Sequence, residues 1–173
     1  MRRVQYETTP GRVILALLAG AMVGACLVAA SSILSMELYS SNDPKLLELI
    51  WLGLFVGNGA FVIFAVGLSL VGGPAWLLLH NLGWRGWPEA IAVGILLTFA
   101  ASLCLQSGWP LPPPTKSTYS ADDSGGPLII NNIVTAHGWT IFVQQSMQLS
   151  IVGGIVGLTI WRIAYRRKQP TQT

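Results

Sequence analysis

From residue 49 to residue 84 the chain carries no charged side chain, thirty-six positions in succession. As a helix such a run measures about 54 Å at ~1.5 Å per residue, well beyond the ~30 Å of a bilayer's hydrocarbon layer. Three more apolar runs lie at 13–36, 88–106 and 139–162. The chain is 52% hydrophobic and only 10% charged, against ~25% charged in soluble domains. It cannot cover itself with polar surface in water and needs lipid.

The expected fold class is an all-α integral membrane protein, a single transmembrane domain over 1–173. Its spans are placed at 12–36, 47–71, 88–106 and 139–162, with an outer loop at 107–138. Gly72-Gly73-Pro74 is read as a break in the long second run, because proline removes a backbone donor and clashes with the preceding turn. Residues 74–82 then form a short interfacial helix with Pro74 in its first turn and Gly83 as its stop. Trp51, Trp76, Trp84, Trp87, Trp109, Trp139 and Trp161 all lie near predicted span ends, as an aromatic belt requires.

Lysine and arginine set the orientation. One side carries Arg2, Arg3, Arg12, Arg85, Arg162, Arg166, Arg167 and Lys168, and the other only Lys45 and Lys116. The basic side is expected to be cytoplasmic, with both termini there. Glu37, Asp43, Glu48, Asp122 and Asp123 collect outside. In the outer loop, the run Trp109-Pro110-Leu111-Pro112-Pro113-Pro114 reads as extended, polyproline-like chain. Residues 117–126 are rich in Ser, Asp and Gly and read as mobile. Residues 127–136 turn apolar again, and either lie in the outer interface or extend the fourth helix.

Small residues four apart occur at Gly20/Gly24, Gly53/Gly57 and Gly153/Gly157, a spacing that lets helix backbones approach in lipid. Ser146, Ser150, Gly153 and Gly157 fall on one side of the fourth helix. Met22-Val-Gly-Ala-Cys26 is similar to a bacterial lipoprotein cleavage site. The apolar continuation to Met36 and the acidic Glu7 upstream argue instead for an uncleaved helix.

No Asp, Glu, Lys or Arg lies deep in any span. That argues against proton relays, ion-coupled transport and voltage sensing, and leaves no general acid or base within the bilayer. His80 and His137 fall at opposite ends of the bundle and read as interfacial. Cys26 and Cys104 have neither disulfide nor metal spacing. No catalytic, cofactor-binding or metal-ligating residue is expected, and no nucleic acid, since the basic residues sit in short clusters beside apolar runs.

The polar exceptions are Asn58, Gln144, Gln145 and Gln148. An amide in hydrocarbon costs free energy unless hydrogen-bonded. Asn58 and Gln148 lie about 14 Å and 11 Å into their spans, so they are expected to face the bundle interior at similar depth. Gln144 shares a helix face with Gln148. These amides are either interhelical contacts or the wall of a small polar chamber.

The stretch Gly73-Pro-Ala-Trp-Leu-Leu-Leu-His-Asn-Leu-Gly-Trp, running into Ala90-Ile-Ala-Val-Gly94, resembles a hairpin of small uncharacterised bacterial four-span inner-membrane proteins. The ending Gly153-Gly-Ile-Val-Gly-Leu-Thr-Ile-Trp-Arg is similar to theirs as well. The likeness covers about a quarter of the chain and implies location and topology, with no activity and no functional residues. His80-Asn81 departs from it, since basic residues are common there. The expected role is a non-enzymatic structural or accessory membrane subunit. Its expected partners are the lipid bilayer and either further copies of itself or a larger membrane protein. The alternative is a small transporter or channel component using the Asn58 and Gln148 region.

The orientation makes a direct prediction. In a chain lacking Cys26 and Cys104, Ser120→Cys should react with an impermeant thiol reagent added to intact cells, and Thr171→Cys should not. Equal labelling would refute the arrangement.

Overall fold

The computed structural model describes residues 6–39, 46–108, 120–131 and 133–167. Arg2, Arg3, Asp43, Lys45, Lys116, Lys168 and the proline-rich run at 109–114 lie outside the described residues. Elements follow in the order β1 (Tyr6–Glu7), α1 (Pro10–Tyr39), α2 (Leu46–Gly67), a π-helical turn (Leu68–Gly72), α3 (Gly73–Asn81), α4 (Trp87–Ser107), β2 (Ala121–Asp123), β3 (Gly126–Ile130), β4 (Ile133–Val134), α5 (Ala136–Ala164) and β5 (Arg166–Arg167). Among the described residues, four stretches are long and apolar enough to cross a membrane: Pro10–Met36, Leu46–Asn81, Trp87–Ser107 and Ala136–Ala164. Their outer faces stay apolar, with Phe55 82% and Leu105 77% exposed, a surface that soluble monomers rarely carry in such extent.

The chain forms two compact units, residues 1–94 with 154–173, and residues 95–153. In the first, α1 and α2 make an antiparallel hairpin. Gly24 faces the Phe64 ring, Gly57 faces Ala29 and Gly53 faces Ile33. On α1, Ala16, Ala21 and Ala25 are buried, so the seam is built from residues too small to hold the backbones apart. Gly20 meets Ile160 and Val156 of α5. Gly157 of α5 lies against the Ala90 carbonyl and the Gly94 Cα of α4. Each of the three glycine steps thus contributes at least one close contact. The α5 face marked by Ser146, Ser150, Gly153 and Gly157 is buried throughout.

The break expected at Gly72-Gly73-Pro74 does not occur. The backbone stays helical from Leu46 to Asn81, and the interfacial helix expected at 74–82 is the final stretch of this longer helix. The proline is accommodated by the π turn before it. The Gly73 amide donates to the Leu68 carbonyl, five residues back, and the wider turn brings Pro74 into the first turn of α3, where its missing donor costs little. The expected stop is present. Gly83 has φ +77°, its amide donates to the His80 carbonyl, and the Trp84 amide donates to the Leu79 carbonyl. This paired closure satisfies two orphan carbonyls.

In the second unit, described residues of the stretch expected as mobile chain at 117–126, and as an interfacial segment or helix extension at 127–136, form a small antiparallel sheet in the order β2-β3-β4. Asp123 pairs with Gly126 across a tight turn, and Ile130 pairs with Ile133 across the next. Glycine at 126 supplies φ +135°, which other residues adopt only with strain. The Asp123 carboxylate closes the first turn by accepting from the Ser124 amide and hydroxyl. Thr135 then joins sheet to helix: its amide donates to the Leu128 carbonyl at 2.9 Å, and its hydroxyl donates to the Pro127 carbonyl at 2.6 Å. The same hydroxyl accepts from the Gly138 amide at 2.9 Å and so caps the start of α5. A Cβ at Gly138 would strike the Leu128 carbonyl. Because the helix starts at Ala136, residues 127–134 do not extend it.

Gly157 and Gly59 make a matched pair for testing the close contacts. Gly157→Ala drives a methyl into the Ala90 backbone, which cannot move aside as a side chain can, and should cost about 1–3 kcal/mol. Gly59 has open space around it, and Gly59→Ala should be neutral or mildly stabilising. Thermal unfolding in detergent should lower the midpoint for the first variant only.

Candidate functional site

Two groups of polar side chains stand out, one in each unit. In the second unit, Ser102 and Gln106 lie four apart on α4 and so share a face. Ser146 is fully buried on α5. The Gln106 Nε2 donates to Ser102 Oγ at 2.7 Å and to Ser146 Oγ at 3.2 Å, and Ser146 Oγ donates to Ser102 Oγ at 3.1 Å. The hydroxyls thereby satisfy one another where water is absent. Within this group of three side chains, Gln106 Oε1 is buried without a partner among the described residues. Ser150 donates to the Met147 carbonyl and Ser107 to the Cys104 carbonyl, which removes both from wider use. A serine hydroxyl bonded only to amide and hydroxyl groups has no base to activate it.

In the first unit, aromatic residues gather where α3 meets the end of α5. Trp76 stacks on His80 with ring centroids 5.2 Å apart. His80 Nδ1 lies 3.0 Å from the Tyr165 hydroxyl, and the Tyr165 ring stacks on the imidazole at 6.0 Å. Trp161 Nε1 donates to the Arg85 carbonyl at 3.0 Å. Ala16 and Ala164, both fully buried, complete the floor. Burial pushes the Tyr165 phenol above its ordinary pKa, while the Arg85 charge pulls the other way. β1 and β5 pair antiparallel, Tyr6 with Arg167 and Glu7 with Arg166. The β1–β5 pair and the link after α3 therefore lie at one end of this unit.

The sequence-predicted polar residues are placed differently from expectation. Asn58, Gln144, Gln145 and Gln148 are all exposed, so the interior placement of Asn58 and Gln148 is corrected. Their helices turn the small residues inward, on α5 Ser146, Ser150 and Gly153, and the amides occupy the opposite side. The residues that do pair within the spans, Ser102, Gln106 and Ser146, were legible only in part. Ser146 belongs to the small-residue face, whereas Gln106 is the last residue of the predicted third span and nothing in the sequence singles it out.

The histidines have packing roles. His80 is half-buried in the aromatic group. His137 lies against Gly125, where a Cβ would come within about 3 Å of the ring. Cys26 and Cys104 are free and exposed. Among the described residues, no three of His, Cys, Asp or Glu come together as a metal site. Of the predicted belt, Trp51, Trp84, Trp87 and Trp139 are exposed near helix ends, whereas Trp76 and Trp161 pack around Tyr165. Comparison with known proteins finds no matching family model, no matching curated protein and no matching solved structure.

The hydroxyl network can be measured directly. A double-mutant cycle of Ser102→Ala and Ser146→Ala, followed by unfolding in mixed micelles, should give a coupling of about 0.6 kcal/mol, with ~1.7 as the ceiling. Additive losses would mean that the two hydroxyls act separately.

Proposed function

We propose that this chain is a non-enzymatic structural or accessory subunit of a multi-pass assembly in the bacterial inner membrane, with both termini cytoplasmic. The observation that carries the reading is how its intramembrane polar groups are used. Ser102, Gln106 and Ser146 bond to one another, and none of them is ionisable. Such a network holds helices together and offers no proton or charge to move. The side carrying the β1–β5 pair gathers Arg12, Arg85, Arg162, Arg166 and Arg167, the pattern of cytoplasmic loops. In this arrangement α3 ends in that interface, with His80 and Tyr165 at headgroup level. The alternative, a small transporter or channel component, would need further copies to enclose a chamber, because Asn58 and Gln148 lie on the chain's own surface.

The test is isolation of the tagged full chain from its native membrane in mild detergent. A larger membrane protein should accompany it in fixed proportion. Recovery of this chain with lipid alone would count against the accessory role.

A further inference from the structure

We propose that the exposed face of α5 centred on Gln144, Gln148 and Ile151 is where a second copy of this chain binds, as a parallel symmetric dimer within the membrane. The face is defined by the helix itself. Gln144, Gln148 and Ile151 are spaced four and three apart, and Ile155 and Leu158 continue the same alternation along the sequence. That is the seam of a helix pair that twists around a partner. All five side chains are exposed, with Ile151 65% exposed. The opposite face, through Ser146, Ser150 and Gly153, is buried within the chain, and this seam has no partner among the described residues.

The amides make this face more than an apolar surface left to lipid. Gln144 and Gln148 lie five and nine residues past Trp139, about 7 Å and 13 Å into the span. Neither amide has a hydrogen-bond partner among the described residues. Hydrocarbon offers none, and an unpaired amide there is costly. Thr140 and Thr159, which border this strip, are each already bonded to a carbonyl one turn back, at Ala136 and Ile155.

The chemistry of the amide selects the occupant. A glutamine amide both donates and accepts, so it complements another glutamine and carries no charge to repel it. Every copy of a membrane protein inserts with the same orientation. A two-fold axis along the membrane normal therefore brings α5 against α5 in parallel, with each residue at the depth of its equivalent. Gln144 then meets Gln144 and Gln148 meets Gln148, and each lost bond to water is replaced. A single polar residue in such a seam fixes register, and two of them a turn apart fix it twice. Met147 flanks the seam and fills space between the helices. This dimer goes beyond the accessory role and stands independently of whether a larger protein is also bound.

The purified full chain, reconstituted alone in phosphatidylcholine vesicles, tests it. In a background lacking Cys26 and Cys104, Ile151→Cys retains both amides and should give a disulfide-linked dimer with a mild oxidant. Leu105→Cys, at a still more exposed position on α4, should give little. Replacing both glutamines, Gln144→Leu with Gln148→Leu, should weaken association measured by energy transfer between labelled copies about tenfold. These substitutions sit on an exposed face and make it more apolar, so the fold is retained, and circular dichroism checks this. The proposal is overturned if Ile151→Cys cross-links no better than Leu105→Cys. It is equally overturned if the double variant associates as strongly as the parent. Cross-linking at residue 151 that occurs in native membranes, to a different protein, and is absent in vesicles of the pure chain would assign the face to that protein and refute the second copy.

Discussion

Helices in hydrocarbon gain nothing from hiding apolar surface, so their association depends on how closely their backbones can approach. In this chain that approach is made at glycine. Gly157 lies directly on the Ala90 carbonyl, Gly20 admits Ile160 and Val156, and Gly24 admits the Phe64 ring. Each contact is made by the side of a helix that carries its smallest residues. The larger residues, among them Phe55, Leu70 and Ile151, are thereby left on the outer surface. The inversion relative to a soluble protein follows from solvent alone: small residues inside, large apolar residues outside.

Polar groups obey the same constraint in a different way. Backbone groups are satisfied along the helices, and where a helix ends the chain supplies specific closures. Thr135 caps α5 while holding the strand before it. Gly83 and Trp84 close α3. Among side chains, serine solves the problem by bonding to a neighbouring carbonyl, as at Ser69 and Ser150, or by joining the Ser102, Gln106 and Ser146 group. Glutamine is too long to reach its own helix as neatly, so Gln144, Gln145 and Gln148 remain without a partner on the α5 surface among the described residues.

Much of this was legible in the sequence, because hydrophobic run length and glycine spacing are local signals with direct physical meaning. The four apolar helices and the close contacts at the glycine steps follow from them. The break at Gly72-Gly73-Pro74 was misread because the rule for proline considers a regular α-helix, and a single wider turn relieves the clash it describes. The sheet at 121–134 was missed because its strands are short and its turns rely on Gly126 and Asp123 individually. The amides were placed inward by cost alone, whereas the packing preference of Ser146, Ser150 and Gly153 decides which side of α5 is inside. Cost says that an amide needs a partner, and it does not say that the partner lies in the same chain.

The π turn at Leu68–Gly72 also sets a phase. Each residue added to a helix rotates everything beyond it by about 100°, and a π turn is in effect one residue added. The faces of α3 are thus offset from those of α2, and the offset is what turns Trp76 and His80 toward Tyr165. Two halves of one rod have been given different headings. Deleting one residue between 68 and 72 would straighten the ladder and swing the indole and imidazole roughly a quarter-turn away from the phenol. The aromatic group at the end of α5 is therefore encoded as much by an extra peptide unit two turns away as by the rings themselves.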